Sequence, residues 1–271
     1  RLPGFCTSGP VFVFALSVMS GAGTDHNLTV VPGGCQCSDE TEVVCGHCGL
    51  DPLCRVLDYA SAESGVPGGI LLRRRPVARG EIIFSRQEPS SSIFAVKSGS
   101  IKTFVPGAKS PDQVLGFYLA GELVGAETLA AGRYPCSARA LEAGSVCELR
   151  LARLPESGRP LAALQQAVIE VLGDELAVSR RLLATLVHQS AEKRVVSFLL
   201  NISDRLQRHG MPCSEFNLSM SRSDIGSYLG LAGETVSRVL GRLHEKGQIQ
   251  LHRKRILMRR KQQLQAFVRS A

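Results

Sequence analysis

Apolar positions change their spacing twice along the chain. Between residues 70 and 154 they come in short β-type runs parted by turn signals. EIIF stands at 81–84, IFAV at 93–96 before Ser98 and Gly99, IKTFV at 101–105 before Pro106 and Gly107, and VCEL at 146–149. Strands at such intervals predict a small sandwich or barrel-like roll. After a breaker stretch from Pro155 to Pro160 the spacing lengthens to three or four. Leu161, Leu164, Val168, Val171, Leu172, Leu176, Leu182, Leu183 and Leu186 then share one stripe, and no proline interrupts residues 161–189. This predicts a helix of about 29 residues, running ~43 Å at ~1.5 Å per residue. A striped helix that long between two domains predicts a seam with a second copy of the chain. Leu164, Val168, Val171, Leu172, Leu176, Ser179 and Leu183 are the residues assigned to it. A further helix starts at Ala191 and ends before Gly210 and Pro212.

The pattern after residue 220 is the most specific. Ser221 with Asp224 three residues on reads as a capping box. A two-turn helix then runs to Leu229, and Gly230 permits a sharp turn. A second helix is predicted over residues 234–246, with Gly247 as its stop. Ile225, Leu229, Leu231, Val236, Leu240 and Leu243 make the expected small core, leaving Glu234, Ser237, Arg238 and Arg242 on the opposite face. Short and charged side chains on a protruding helix suit the major groove. There an arginine forks onto guanine and a carboxylate accepts from cytosine. Ser221 and Arg222 join them as DNA-facing candidates at the first helix start. A hairpin, 249–251 with 256–258 around the basic turn at 252–255, predicts a wing whose tip meets phosphate.

Charge reinforces this reading. The net charge of +8 is not spread evenly. From residue 191 onward there are 15 Lys/Arg against 6 Asp/Glu, while the remaining 17 basic and 18 acidic residues nearly cancel. A basic end on a neutral body is the footprint of a nucleic-acid-binding domain. With 44% hydrophobic and 21% charged residues the chain has a globular balance. No apolar run reaches the ~18–20 residues of a membrane helix. The catalytic patterns G-x-S-x-G, H-E-x-x-H and G-x-x-x-x-G-K-[ST] are missing, so the expectation is not an enzyme.

Nine cysteines include five between Cys35 and Cys54. An odd total and a tight cluster do not make a disulfide framework in a chain this long. Cys45, Cys48 and Cys54 have C-x2-C-x5-C spacing, and three thiolates on a short loop can wrap one face of an iron–sulfur cube. A fourth ligand must come from elsewhere, with Cys147, Cys136, Cys35 and Cys37 as candidates. Zinc, with His47 as an optional donor, and free thiols stay open, although zinc more often uses two matched C-x2-C pairs. The expected divisions are 1–34, a disordered leader or misplaced start with Met19 as the true one; 35–65, a Cys-rich segment; 66–157, the roll; 158–190, the seam helix; and 191–271, a winged helix-turn-helix. A cytoplasmic location goes with reduced thiols and a DNA target.

These residues resemble the CRP/FNR superfamily of bacterial transcription regulators, and within it the oxygen-sensing FNR/Anr branch. The resemblance rests on the spacing of Cys45, Cys48 and Cys54, on GFYLAGELVG at 116–125, on SVCE at 145–148 and on DIGSYLGLAGETVSR at 224–238. It implies an α+β fold: an N-terminal β-roll of the cyclic-nucleotide-binding jelly-roll type, a long dimerisation helix, and a C-terminal winged helix-turn-helix. It also implies a [4Fe–4S] cluster on Cys45, Cys48, Cys54 and Cys147, and base reading by Glu234, Ser237 and Arg238 on palindromic promoter DNA of TTGAT-N4-ATCAA type. The implied partners are a second copy of the chain and RNA polymerase, the latter near the loop 107–113. Two departures stand out. Pro135, Cys136 and Ser137 occupy the place where cyclic-nucleotide-binding relatives carry an Arg-Ser or Arg-Thr pair, so a cyclic nucleotide is not expected despite Gly121, Glu122 and Leu123. Gly233 precedes the reading glutamate where a larger residue is usual, so a looser helix entry is expected.

Overall fold

The computed structural model describes residues 42–56, 72–128, 132–150, 161–186 and 190–269, apart from some side chains at 72–73 and within 161–186. Eight strands form two antiparallel sheets. They are β1 (Leu72–Val77), β2 (Ile82–Phe84), β3 (Ser92–Ser98), β4 (Ser100–Val105), β5 (Gln113–Leu119), β6 (Leu123–Val124), β7 (Ser137–Ala140) and β8 (Gly144–Arg150). One sheet has the order β1-β8-β3-β6 and the other β2-β7-β4-β5. Between them lies a core of Val77, Phe84, Phe94, Val96, Ile101, Tyr134 and Val146, with the Phe84 and Tyr134 rings stacked at 3.9 Å.

The apolar run at 93–96 is continuous because β3 is covered on both faces. Phe94 and Val96 point into the roll. Ile93 and Ala95 point outward, where Leu50, Leu53 and Ala167 cover them. Strand β8 alternates in the same way, Val146 inward and Cys147 and Leu149 outward. The cover consists of a 3-10 turn (Cys45–His47), the short helix α1 (Asp51–Val56) and the long helix α2 (Leu161–Leu186).

The outer face of the other sheet is covered by the C-terminal part of the chain. Val114, Phe117 and Leu119 of β5 share one core with the helices α3 (Ala191–Arg208), α4 (Arg222–Leu229) and α5 (Gly233–Glu245). The sheet β10-β11-β9 and α6 (Lys261–Arg269) complete it, with β9 at Glu215–Asn217, β10 at Ile249–His252 and β11 at Arg255–Met258. Phe198 meets Phe117 and Tyr228 edge to face at this junction, and Phe117 and Tyr228 are tilted against each other.

On α2 the residues assigned to the seam differ in exposure. Leu172 and Leu176 are exposed at 36% and 53%, as is Ile169 at 63%. Val168 instead packs half-buried on the chain's own core with Leu50 and Leu53, because the Cys-rich segment lies against this part of the helix. The side chains of Leu164, Val171, Ser179 and Leu183 lie outside the described set, as do Cys35, Cys37 and the whole leader. No helix among the described residues is long and apolar enough to cross a membrane.

Candidate functional site

The thiol patch is built from two distant pieces of chain. The segment from Glu42 enters along the end of β3, where Val43 N–H donates to Lys97 O at 3.0 Å. The 3-10 turn closes with Cys48 N–H on Cys45 O at 3.0 Å, and α1 follows at once, its Cys54 N–H bonded to Leu50 O at 2.9 Å. Leu50 and Leu53 anchor this piece under the sheet, which leaves Cys48 and Cys54 at the margin of the same apolar patch. Cys147 reaches that patch from β8, between Arg74 of β1 and Ala95 of β3 in register. Two turns of local structure thus place three thiols, and the outward phase of one strand adds the fourth.

The four sulfurs act on one another electrically. Burial, with a smaller push from the neighbouring sulfurs, raises the Cys48 thiol to about 11 and the Cys54 thiol to about 12. Cys147 is raised by burial too, against the opposing charges of Lys97 and Arg74. Lys97 is almost buried, and its ammonium donates to Val43 O and to Cys45 Sγ, the latter at 3.5 Å. Thiols raised this far are protonated at neutral pH, and a bound metal would displace those protons. Among the described residues no set of three His, Cys, Asp or Glu side chains closes around a single ion. Cys136 is elsewhere: it sits in the roll interior at 2% exposure, beside Glu127 at 3.7 Å.

The second candidate region is the helix pair. Ser221 Oγ accepts from Asp224 N–H at 3.0 Å, and the Asp224 carboxylate accepts from Ser221 N–H at 3.2 Å, completing the capping box. Gly230 ends α4 with φ +65°, a conformation costly for any residue with a Cβ. Helix α5 buries Val236, Val239, Leu240 and Leu243. Val239 was not among the expected core residues, and Leu231 is only partly covered. Glu234, Ser237, Arg238 and Arg242 are exposed, with Ser237 Oγ donating to Gly233 O at 3.0 Å. Gly233 does not loosen the entry of α5. A Cβ there would lie 3.3 Å from the Ser223 backbone, so glycine lets the two helices close up. Half-buried Arg222 reaches the Arg253 carbonyl at the tip of the β10–β11 wing.

Two families match separate parts of the chain. The family described as Crp-like helix-turn-helix domain matches residues 193–267, and that described as cyclic nucleotide-binding domain matches residues 74–156. The transcriptional activator protein Anr of Pseudomonas aeruginosa is 38% identical over 212 residues, 78% of this chain and 87% of the relative. The chain belongs to the CRP/FNR superfamily, in its FNR/Anr branch. The fumarate and nitrate reduction regulatory protein of Escherichia coli, 32% identical over 217 residues, covers 80% of this chain and 84% of its own length. Among solved structures, FixK2 from Bradyrhizobium japonicum aligns with a TM-score of 0.65 at 27% identity, over 74% of this chain and 99% of that one. The α+β fold of β-roll, helix and C-terminal helix-turn-helix is that of the superfamily. Like these relatives, the chain is a regulator of transcription and not an enzyme.

Sequence reasoning missed the residues that join the two FNR-type regions. Glu122 and Arg205 form a buried ion pair between the Gly121-Glu122-Leu123 turn and α3, with Arg205 Nε on Glu122 Oε1 at 2.7 Å. Burial alone would raise the Glu122 carboxyl, but Arg205 and the Leu119 N–H together hold it below the usual carboxylate range. Lys102 of β4 binds the capping Asp224 at 2.6 Å. The available signal was a charged residue within or at the end of an apolar run, as at Lys102 and Lys97; Arg205, among Asp204, Gln207 and Arg208, leaves no such mark.

Proposed function

We propose that this FNR/Anr-type regulator senses oxygen through a [4Fe–4S] cluster on Cys45, Cys48, Cys54 and Cys147. The observation that carries the reading is the outward phase of β8, which delivers Cys147 to the patch where the Cys48–Cys54 segment is anchored. Bound there, the cluster supplies an oxygen-labile redox centre that cross-links the segment 35–65 to the roll. The chain's own part is to hold four thiolates in a mostly apolar setting beside Lys97.

The remaining roles follow the same proposal. Residues 158–190 pair two copies through the assigned Leu164, Val171, Leu172, Leu176, Ser179 and Leu183, of which Leu172 and Leu176 are exposed. Pairing sets two α5 helices one DNA turn, ~34 Å, apart. Glu234, Ser237, Arg238 and Arg242 then face base edges of a TTGAT-N4-ATCAA palindrome, while Ser221, Arg222 and the wing tip lie toward phosphate. Such sites would control genes of anaerobic metabolism, with the exposed loop 107–113 turned to RNA polymerase. A cytoplasmic location fits this role. Cyclic nucleotide is disfavoured because Glu122 already holds Arg205 and because Cys136 stands in place of a phosphate-binding arginine.

Anaerobic purification with iron, sulfide and zinc analysis tests the reading. Near four irons and four sulfides per chain, with a visible spectrum that bleaches in air and DNA binding that is lost with it, is the expected result. Zinc alone, or DNA binding indifferent to air, would overturn it.

A further inference from the structure

Three segments far apart in sequence meet beneath the thiol patch. The first is the loop Cys45–Gly49, the second the Gly121-Glu122-Leu123 turn, and the third the C-terminal end of α3. Gly49 N–H donates to Gly121 O at 2.7 Å. His209, the residue that ends α3, places its Nδ1 2.6 Å from the carbonyl of His47. A carbonyl only accepts, so Nδ1 carries the proton in this contact. The same ring lies with Nε2 3.9 Å from Glu122, whose carboxylate holds Arg205 one turn earlier on α3.

Glycines make this approach possible. Gly121 has φ +97°, and a Cβ there would stand 2.4 Å from His209 Nδ1. Gly210 has φ +69°, and a Cβ there would stand 2.8 Å from His47 Nδ1. The backbone between two of the clustered cysteines is therefore bonded to the first helix of the DNA-binding domain of the same chain. No residue of α2 takes part in that contact.

We propose that the Cys45–Cys48 loop acts directly on the DNA-binding domain of its own chain, with His209 as the positioning residue that carries the action. Fixing the loop fixes the His47 carbonyl. That holds the end of α3, and with it the orientation of α4 and α5 on the roll, before any second copy arrives. Releasing the loop frees the His209 bond and leaves Glu122–Arg205 as the main tie at this place. The signal that fixes the loop rests on the cluster reading above; the contact itself does not.

The test is hydrogen–deuterium exchange on the full chain, kept anaerobic and then exposed to air, with iron measured on the same samples. Wild type is compared with His209→Ala and His209→Asn, the latter because its side-chain N–H can replace Nδ1–H. His209→Ala should keep wild-type iron while speeding exchange at Gly49 and at Gly210 and Met211 by about three- to tenfold, the weight of one hydrogen bond. His209→Asn should restore protection. In a Leu172→Glu, Leu176→Glu background, which weakens pairing, air should still speed exchange at those amides. Unchanged exchange in His209→Ala would overturn the contact's role. An air response that vanishes in the unpaired background would overturn direct action, leaving α2 as the sole route. Samples without iron would sink the cluster reading by itself, and the latch would then stand or fall on the His209→Ala difference.

Discussion

Cys147 shares its surroundings with Cys48 and Cys54 only because a 3-10 turn, a six-residue helix and a long helix cover the sheet face toward which its strand turns it. Glu234, Ser237 and Arg238 stand on a helix that supplies its own order: Val236, Val239, Leu240 and Leu243 hold one side while the other faces water. The first region is assembled from afar and partly buried, with Cys45 exposed. The second is local and exposed. Damage should therefore spread in the first and stay confined in the second.

The sharpest way to break this contrast is Cys147→Ser. It should take iron from about four per chain to near none and remove anaerobic DNA binding with it, whereas Cys136→Ser, in the roll interior, should leave both intact. Iron analysis and a gel-shift assay decide. Next in size is the tie between the regions. Glu122→Gln leaves Arg205 buried without its counter-charge and should cost about 3–5 kcal/mol of stability, read by denaturant melts. Its pH dependence has a definite sign. Because the folded carboxyl titrates below its ordinary value, the pair's contribution is complete above the unfolded value of about 4.3. It fades as pH falls through the folded value. The gap between wild type and variant should be widest near neutrality and narrow in acid.

Within α5 the two faces can be set against each other. Leu240→Ala should cost about 2–5 kcal/mol of stability through the cavity it leaves. Arg238→Ala should leave the melting temperature alone and weaken specific DNA binding by about 1–3 kcal/mol, relaxing preference at one base position. The smallest effect belongs to the wing tip. Lys254→Ala should lower the slope of log affinity against log salt by about one, equally on specific and random DNA.

The same contrast decides what could be read from the chain. The helix pair was legible because capping, turn and core residues all lie within some thirty positions of one another, and each leaves a local mark: Ser221 with Asp224, Gly230, and the stripe from Val236 to Leu243. Three of the patch cysteines were legible from spacing. Placing the fourth took a family resemblance, since nothing local to Cys147 separates it from Cys136. Their positions in the roll separate them, Cys147 facing the Cys-rich segment from β8 and Cys136 the interior just before β7. Strand β1, with three consecutive arginines at 73–75, was invisible to hydrophobic pattern. It forms because β8 supplies its ladder, and Arg74 and Arg75 find Glu42 and Glu81. The half-buried state of Val168 was likewise out of reach, because Leu50 and Leu53 in its cluster lie more than a hundred residues away.

Asp224 belongs to two structures at once. It is the third residue of a helix start and also the counter-ion of Lys102 on the roll. Burial would raise its carboxyl, yet the bonds from Lys102 and Ser221 keep it below the usual range. The reading head is thus not a freely interchangeable part. Grafted onto a foreign sensor, residues 191–271 would keep the exposed Glu234, Ser237, Arg238 and Arg242 and still begin α4 on a weaker footing. A chimaera that supplies a lysine at the matching place on its acceptor strand should recover what one without it loses.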